Sequence, residues 1–335
     1  MNPIKNAWYV AALAKNVSTT PIKQKLLDCP IVLYRTESGE AVALDDRCPH
    51  RFAPLHKGKV VGDSIECPYH GLQFSPDGVC SRNPHGDCKI PAAAKVRRYP
   101  LREQDGLIWL WCGEVDVVGS PLSLGEFFDA DHRTLISGYY KLNAHIEIVL
   151  DNLMDLSHAP FLHPTTLADA SNTESLIFEM KQEGDAVIAY HWIPNARVSP
   201  QFRPFWPSDV ADNRANITWT PPANLQLDVG VTEVGGRPGD GVDLHFAHLL
   251  SPAGANETHY FWIAARNYEI GNEEVSRIME GQVEQAFETE DEPMIEAVAG
   301  YMSTPDLLAL KPVLLPGDAA AIRVRRMLQL LREKE

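Results

Sequence analysis

Two short segments of this chain concentrate side chains that bind transition metals. Cys48-Pro-His50 is followed, after sixteen residues, by Cys67-Pro-Tyr-His70. Each segment offers one thiolate and one imidazole. Such a set can hold a tetrahedral Zn²⁺, or a [2Fe–2S] cluster with two thiolates on one iron and two imidazoles on the other. A zinc ribbon usually pairs like with like, as in Cys-x₂-Cys. Here both segments run Cys then His, and the second ends in Gly71, which admits a tight turn. The order therefore favours the cluster.

A second set lies in the stretch 150–163, Leu-Asp-Asn-Leu-Met-Asp-Leu-Ser-His-Ala-Pro-Phe-Leu-His. Ile146, Val149, Leu150, Leu153, Met154 and Leu156 repeat at helical spacing and predict a helix. On that helix Asp151, Asp155 and His158 fall on one face, with Asn152 beside them. Pro160 is expected to end it, so that His163 approaches the same point from the following turn. Two histidines and one carboxylate form the facial triad of mononuclear Fe(II) oxygenases, which leaves positions open for O₂. The third ligand must come from elsewhere, and the acidic run Glu288, Glu290, Asp291, Glu292 is the best source. Spacing does not choose among the four. Asp291 sits at a helix break before Pro293, where a side chain can be redirected.

The elements that must position these groups change character along the chain. Trp8-Tyr9-Val10, Ile31-Val32-Leu33-Tyr34 and Leu107-Ile108-Trp109-Leu110-Trp111 read as short strands separated by Gly and Pro turns. They predict a compact antiparallel domain, thinning into a linker from Gly113 to Asp131. Strands return between Leu176 and Ile263, and Gly235 to Gly241 reads as a loop or hairpin tip. Helices are expected from Glu273 to about Thr289, from Pro293, and from Ala319 to Leu331.

Composition narrows the class. The chain has 335 residues and a formal charge of −15, which speaks against coating nucleic acid or an anionic membrane. No apolar run approaches the ~20 residues of a membrane helix, and Trp8 to Ala14 is too short for a convincing signal peptide. Six scattered cysteines do not make a disulfide framework. A cytoplasmic protein is expected.

Cys48-Pro-His50-Arg51 with Cys67-Pro-Tyr-His70-Gly71 resembles the cluster motif of the Rieske non-haem iron oxygenases. Asp151-Asn152-x-x-Asp155-x-x-His158-x₄-His163 resembles their iron-site helix. Asn6-Ala-Trp8-Tyr9-Val10-Ala11 and Ala265-Arg266-Asn267-Tyr268 are similar to the vanillate O-demethylase, dicamba monooxygenase and toluenesulfonate methyl-monooxygenase branch. The resemblance implies an α+β chain, with an all-β Rieske [2Fe–2S] domain over 1–118. A helix-grip-like α+β catalytic domain with an antiparallel sheet then spans 119–335. By this likeness Cys48, His50, Cys67 and His70 hold the cluster, and His158, His163 and Asp291 hold Fe(II). Asp155 bridges the two metal centres, with Asn152 grouped beside it as catalytic. The same likeness implies a homotrimer, in which His70 of one subunit meets Asp155 of the next.

The implied function is the terminal oxygenase of a multicomponent monooxygenase, using O₂ for O-demethylation or methyl hydroxylation of an aromatic substrate. The chain carries neither Gly-x-Gly-x-x-Gly nor a Cys-x₄-Cys-x₂-Cys run, so electrons from NAD(P)H must pass through a separate flavin or ferredoxin-type reductase. Lys89, Lys95, Arg97, Arg98 and Arg102 form a basic stretch that could meet such a partner, although a solvated strand edge is the preferred reading. His248, Asn224 and Arg266 are polar residues in apolar or strand-like segments, candidates for substrate contacts or, equally, for satisfying a buried backbone group. The segments Asn195 to Asn213 and Pro221 to Asp228 are expected to line the pocket. Two rivals remain: a ring cis-dihydroxylating dioxygenase, which shares the same ligands, and a Rieske electron-transfer protein. The length of chain after the cluster segments speaks against the second.

Overall fold

The computed structural model describes residues 2–114, 116–128, 133–164, 166–168 and 175–335. Residues 115 and 129–131 of the expected linker lie outside that set. The chain divides into two compact units, one of residues 5–123 with 251–255 and the other of 1–4, 124–250 and 256–335.

Among the described residues, the first unit is built from ten short strands. They are β1 (Trp8–Leu13), β2 (Ile22–Leu26), β3 (Cys29–Arg35), β4 (Ala41–Asp45), β5 (Lys59–Val61), β6 (Ser64–Glu66), β7 (Gln73–Phe74), β8 (Cys80–Arg82), β9 (Leu101–Gln104) and β10 (Leu107–Trp111). They form three sheets, ordered β1-β10-β9, β2-β3-β4 and β5-β6-β7-β8. The apolar runs read as strands bury wholly. One core gathers Tyr9, Ile31, Leu33, Tyr99, Ile108 and Leu110. A second gathers Val32, Tyr34, Leu44, Leu55, Ile65 and Phe74, and it includes Cys48 and Cys67. The two cysteine loops thus spring from a rigid base: residues 46–58 join β4 to β5, and 67–72 join β6 to β7.

The second unit wraps helices around a seven-stranded antiparallel sheet. Its strands are β11 (Thr134–Leu142), β12 (Ile177–Glu183), β13 (Ala186–Arg197), β14 (Val210–Thr220), β15 (Asn224–Thr232), β16 (Val242–Gly254) and β17 (Glu257–Arg266). Their order is β11-β17-β16-β15-β14-β13-β12. The helices are α1 (Ile146–Met154), α2 (Ala159–Leu162), α3 (Glu273–Gln285), α4 (Glu292–Tyr301) and α5 (Ala319–Arg332). No helix among the described residues is long and apolar enough to cross a membrane.

Two helical expectations need correction. The single helix carrying Asp151, Asp155 and His158 stops at Met154, Asp155 caps it, and a 3₁₀ turn over Leu156–His158 follows. Pro160 does not end a helix. It sits in the first turn of α2, where its missing N–H costs nothing. Asp151 consequently leaves the face of His158 and pairs with Arg325 of α5, at 2.8 Å from Nε. Arg325 also meets Glu147, whose other oxygen pairs with Arg332. Glu147 and Arg325 are almost wholly buried, so this cluster is a charged clasp between α1 and α5. Burial pushes the Asp151 carboxyl up in pKa despite the guanidinium beside it.

Candidate metal centres and substrate cavity

The two cysteine loops have the same backbone. The Phe52 N–H donates to the Cys48 carbonyl at 2.9 Å, and the Gly71 N–H donates to the Cys67 carbonyl at 3.0 Å. Cys48 N–H in turn reaches Ala53 O, and Cys67 N–H reaches Leu72 O. Each turn closes through a left-handed residue four places after its cysteine: Gly71 at φ 69° and Phe52 at φ 58°. Glycine is the expected choice there and was legible in the second loop. Phenylalanine in the first was not, because its conformation is imposed by the fold.

These turns bring His50 and His70 to the loop tips, with ring centroids 4.4 Å apart. Cys48 and Cys67 stay buried at the base. Burial pushes the Cys48 thiol up to about 11 in pKa, and Cys67 beside it adds to the rise. A bare Cys48 thiolate is therefore disfavoured here, and metal coordination is what would stabilise it. The donor set, two buried sulfurs under two adjacent imidazoles, fits a Rieske cluster. His85 Nε2 lies 2.7 Å from the His70 carbonyl and buttresses the second loop. The basic stretch downstream is largely engaged within the chain. Lys89 pairs with Asp87 and Arg98 with Glu40. Arg97 lies over Tyr99 and donates to the Cys112 and Gly113 carbonyls.

In the second unit the structure brings His158, His163 and Asp291 together, with one ligand atom of each within 4.8 Å of the others. His163 Nε2 is 3.2 Å from Asp291 Oδ1, and His158 Nε2 is 3.6 Å from the same oxygen. The opposite ring nitrogens are occupied. His158 Nδ1 bonds the backbone carbonyl of Asp155, and His163 Nδ1 lies 2.6 Å from Glu290 Oε2. Both Nε2 atoms and one carboxylate thus converge with their other hydrogen bonds satisfied, which fits a mononuclear Fe(II) site. Burial lowers the pKa of His163, but the carboxylates of Asp291 and Glu290 outweigh it and the net shift is upward.

Asp291 is delivered by a π-turn, Ala286–Asp291, that joins α3 to α4 without a break. Such turns insert one residue into a helix and recur at functional sites. Phe287 anchors this one between Tyr140 and Tyr260, with ring centroids 4.4 and 4.5 Å away. Pro293 occupies the first turn of α4, as expected, but the helix break expected before it is absent, because the π-turn carries the chain through. Asn152 Nδ2 donates to Asp291 Oδ1 at 3.2 Å and steadies the carboxylate. The Asp155 carboxylate accepts from Ser157 N–H at 3.0 Å, holding the turn that carries His158. Its second oxygen has no hydrogen-bonding partner among the described residues.

The three converging side chains and Asn152 line a cavity of about 360 Å³. Its walls are mostly apolar and include Phe161, Ile193, Phe202, Ile217, Leu227 and Phe246. Of the expected substrate contacts, only His248 reaches it. Asn224 bonds Pro221 O within the turn before β15. Arg266 donates to the carbonyls of Tyr268, Glu269 and Asn272, bracing the loop before α3. For both, the sequence leaves open a substrate contact or a buried backbone group, and each satisfies backbone carbonyls. Of the two segments expected to line the pocket, Ser199, Gln201, Phe202, Asn213 and Leu227 do so. Sequence reasoning missed His191 and Tyr260, which no local motif marks.

Comparison with known proteins agrees with this architecture. Residues 7–100 match the Rieske [2Fe-2S] domain, and residues 142–334 match the vanillate O-demethylase oxygenase C-terminal domain. The chain is 34% identical to the chloroacetanilide N-alkylformylase oxygenase component of Rhizorhabdus wittichii, over 97% of this chain and 94% of the relative. It is 33% identical to the dicamba O-demethylase oxygenase component of Stenotrophomonas maltophilia, over 100% and 99%. A crystal structure of dicamba monooxygenase bound to 3,6-dichlorosalicylic acid superposes with a TM-score of 0.92 at 31% identity, covering 100% of this chain and 99% of that one. The chain belongs to the vanillate O-demethylase branch of the Rieske non-haem iron oxygenases and is the oxygenase component of a multicomponent monooxygenase.

Proposed function

We propose that this oxygenase removes or hydroxylates an alkyl substituent of an aromatic substrate that is uncharged when bound. The observation that carries the reading is the convergence of His158, His163 and Asp291 on an apolar cavity. We assign the cluster to Cys48, His50, Cys67 and His70, and the iron to His158, His163 and Asp291. When bound, the cluster supplies electrons singly and the Fe(II) supplies open positions for O₂. The chain's own residues bind and orient the substrate, exclude water and hold the ligands in place. Asn152 steadies Asp291, and Asp155 lies next to His158 with one carboxylate oxygen left for a second imidazole. A homotrimer in the cytoplasm, served by a separate reductase, completes the proposal.

The charge of the lining argues for a neutral substrate. The only permanently cationic side chain lining the cavity, among the described residues, is Arg214. Asp228 holds it at 2.8 Å and Asp243 at 2.6 Å, so that group is net negative. Burial lowers the pKa of His191 and holds His248 at about 4, so both imidazoles are neutral near pH 7. Away from the iron, a ring carboxylate or sulfonate would meet only Arg214, whose Nη1 is buried without a partner but whose charge Asp228 and Asp243 already offset, which is costly. A neutral aromatic ether or amide faces no such cost.

His248 supplies the polar handle. Tyr260 Oη lies 2.5 Å from His248 Nδ1, and among the described residues that hydroxyl has no other acceptor. The hydroxyl therefore donates, and Nε2 carries the imidazole proton. That Nε2 is buried without a partner, so a substrate oxygen would satisfy it. His248→Phe is expected to raise KM by about tenfold with kcat largely retained, since one neutral hydrogen bond is lost. The function itself is tested by substrate-dependent NADH consumption, with reductase, across matched methoxy- and methyl-aromatics bearing neutral, carboxylate or sulfonate groups. Turnover of the neutral members is expected. A consistent preference for the anionic ones would overturn this assignment of the substrate class.

A further inference from the structure

We propose that Glu290 is a positioning residue of the iron site, fixing His163 from its far side while also tethering one wall of the cavity. The proposal rests on the reading of His158, His163 and Asp291 as iron ligands.

Four acids crowd the turn that delivers Asp291, but their places differ. Glu288 is exposed, while Glu290 and Asp291 turn inward. Neighbouring residues in an α-helix do not face the same partner. Within the π-turn these two grip opposite ends of one imidazole, Glu290 at Nδ1 and Asp291 at Nε2. A carboxylate can only accept, so Nδ1 carries the proton and Nε2 keeps its lone pair for the metal. The two atoms lie 2.6 Å apart, and the acceptor is a carboxylate, which strengthens the bond.

The two histidines are therefore unequal. His158 Nδ1 meets a neutral backbone carbonyl, whereas His163 Nδ1 meets an anion. An anionic acceptor makes the ring a stronger donor to a cation. Glu290 is itself held, since Thr166 Oγ1 donates to the same Oε2 at 2.9 Å. Thr166 belongs to the turn after His163, whose Leu167 and Ala168 N–H groups return to the His163 carbonyl. Leu167 and Ala168 line the cavity. One carboxylate thus ties the ligand histidine to a substrate-facing wall.

The test measures how fast the mononuclear iron passes from the holoenzyme to a ferrous chelator, with cluster absorption and melting temperature followed alongside. Glu290→Ala is expected to weaken iron retention about 10–100-fold with cluster absorption unchanged. Glu290→Gln, whose amide oxygen still accepts from Nδ1, should lose iron faster than the parent but more slowly than the alanine variant. Release at the parent rate in both variants would overturn the proposal. If the alanine variant does not fold, the glutamine variant decides alone, and parental release from it has the same meaning. Complete absence of iron in Glu290→Ala, equal to that in Asp291→Ala, would make Glu290 a ligand and also overturn it. Iron retained in Asp291→Ala and His163→Ala would instead sink the underlying ligand assignment.

Discussion

Alanine at His158, His163 or Asp291 is expected to lower iron from about three atoms per chain to about two, while the cluster spectrum survives. Turnover should fall to background in each case. The expectation follows from the convergence of three donor atoms within 4.8 Å, each on a different local element. His158 comes from the 3₁₀ turn, His163 follows α2, and Asp291 ends the π-turn. The residues assigned to the cluster lie in the other compact unit, which has its own core, so their site should be spared. Metal analysis and the visible spectrum of each variant check the prediction. Loss of both metals together would mean that the substitutions act through folding. Retention of all the iron in Asp291→Ala would remove that carboxylate from the set.

Asp155→Asn is expected to keep both metals and a reducible cluster, yet lose nearly all turnover. The substitution suits the local structure. Asp155 Oδ1 accepts from Ser157 N–H, and an asparagine oxygen caps such a turn equally well. The change is confined to the second oxygen, which becomes an NH₂ group and can no longer accept from an imidazole N–H. Single-turnover experiments should show clusters that stay reduced after substrate and O₂ are added. The proposal also places the second imidazole on a neighbouring subunit. Mixed trimers of Asp155→Asn and His70→Cys chains should then recover some activity, because one interface pairs two intact halves. No recovery in verified mixed trimers would refute the path between subunits. Loss of iron from Asp155→Asn would make Asp155 a ligand or its direct support.

How much was legible in the sequence followed the range of the interactions. The cluster loops are local, so Cys48, His50, Cys67 and His70 could be read from spacing. The iron site spans 128 positions between His163 and Asp291, and spacing alone could not choose within the acidic run. Glu290 and Asp291 differ in role because a π-turn separates their directions, and no periodicity announces a π-turn. The helix carrying Asp151 was read one turn too long, since Pro160 suits a helix start as well as a stop. Arg266 and Asn224 stayed open between a substrate contact and a backbone partner, because strand sequences do not show which backbone carbonyls need a donor. His248 lies in an equally polar-in-apolar context, and only the cavity distinguishes it.

The most direct test of the central claim is oxygen labelling. The purified oxygenase and its reductase would turn over a methyl-substituted aromatic under ¹⁸O₂, with the product analysed by mass spectrometry. Monooxygenation at the substituent predicts a benzylic alcohol carrying one labelled oxygen and an unoxidised ring. A ring dihydrodiol carrying two labelled oxygens would contradict the account.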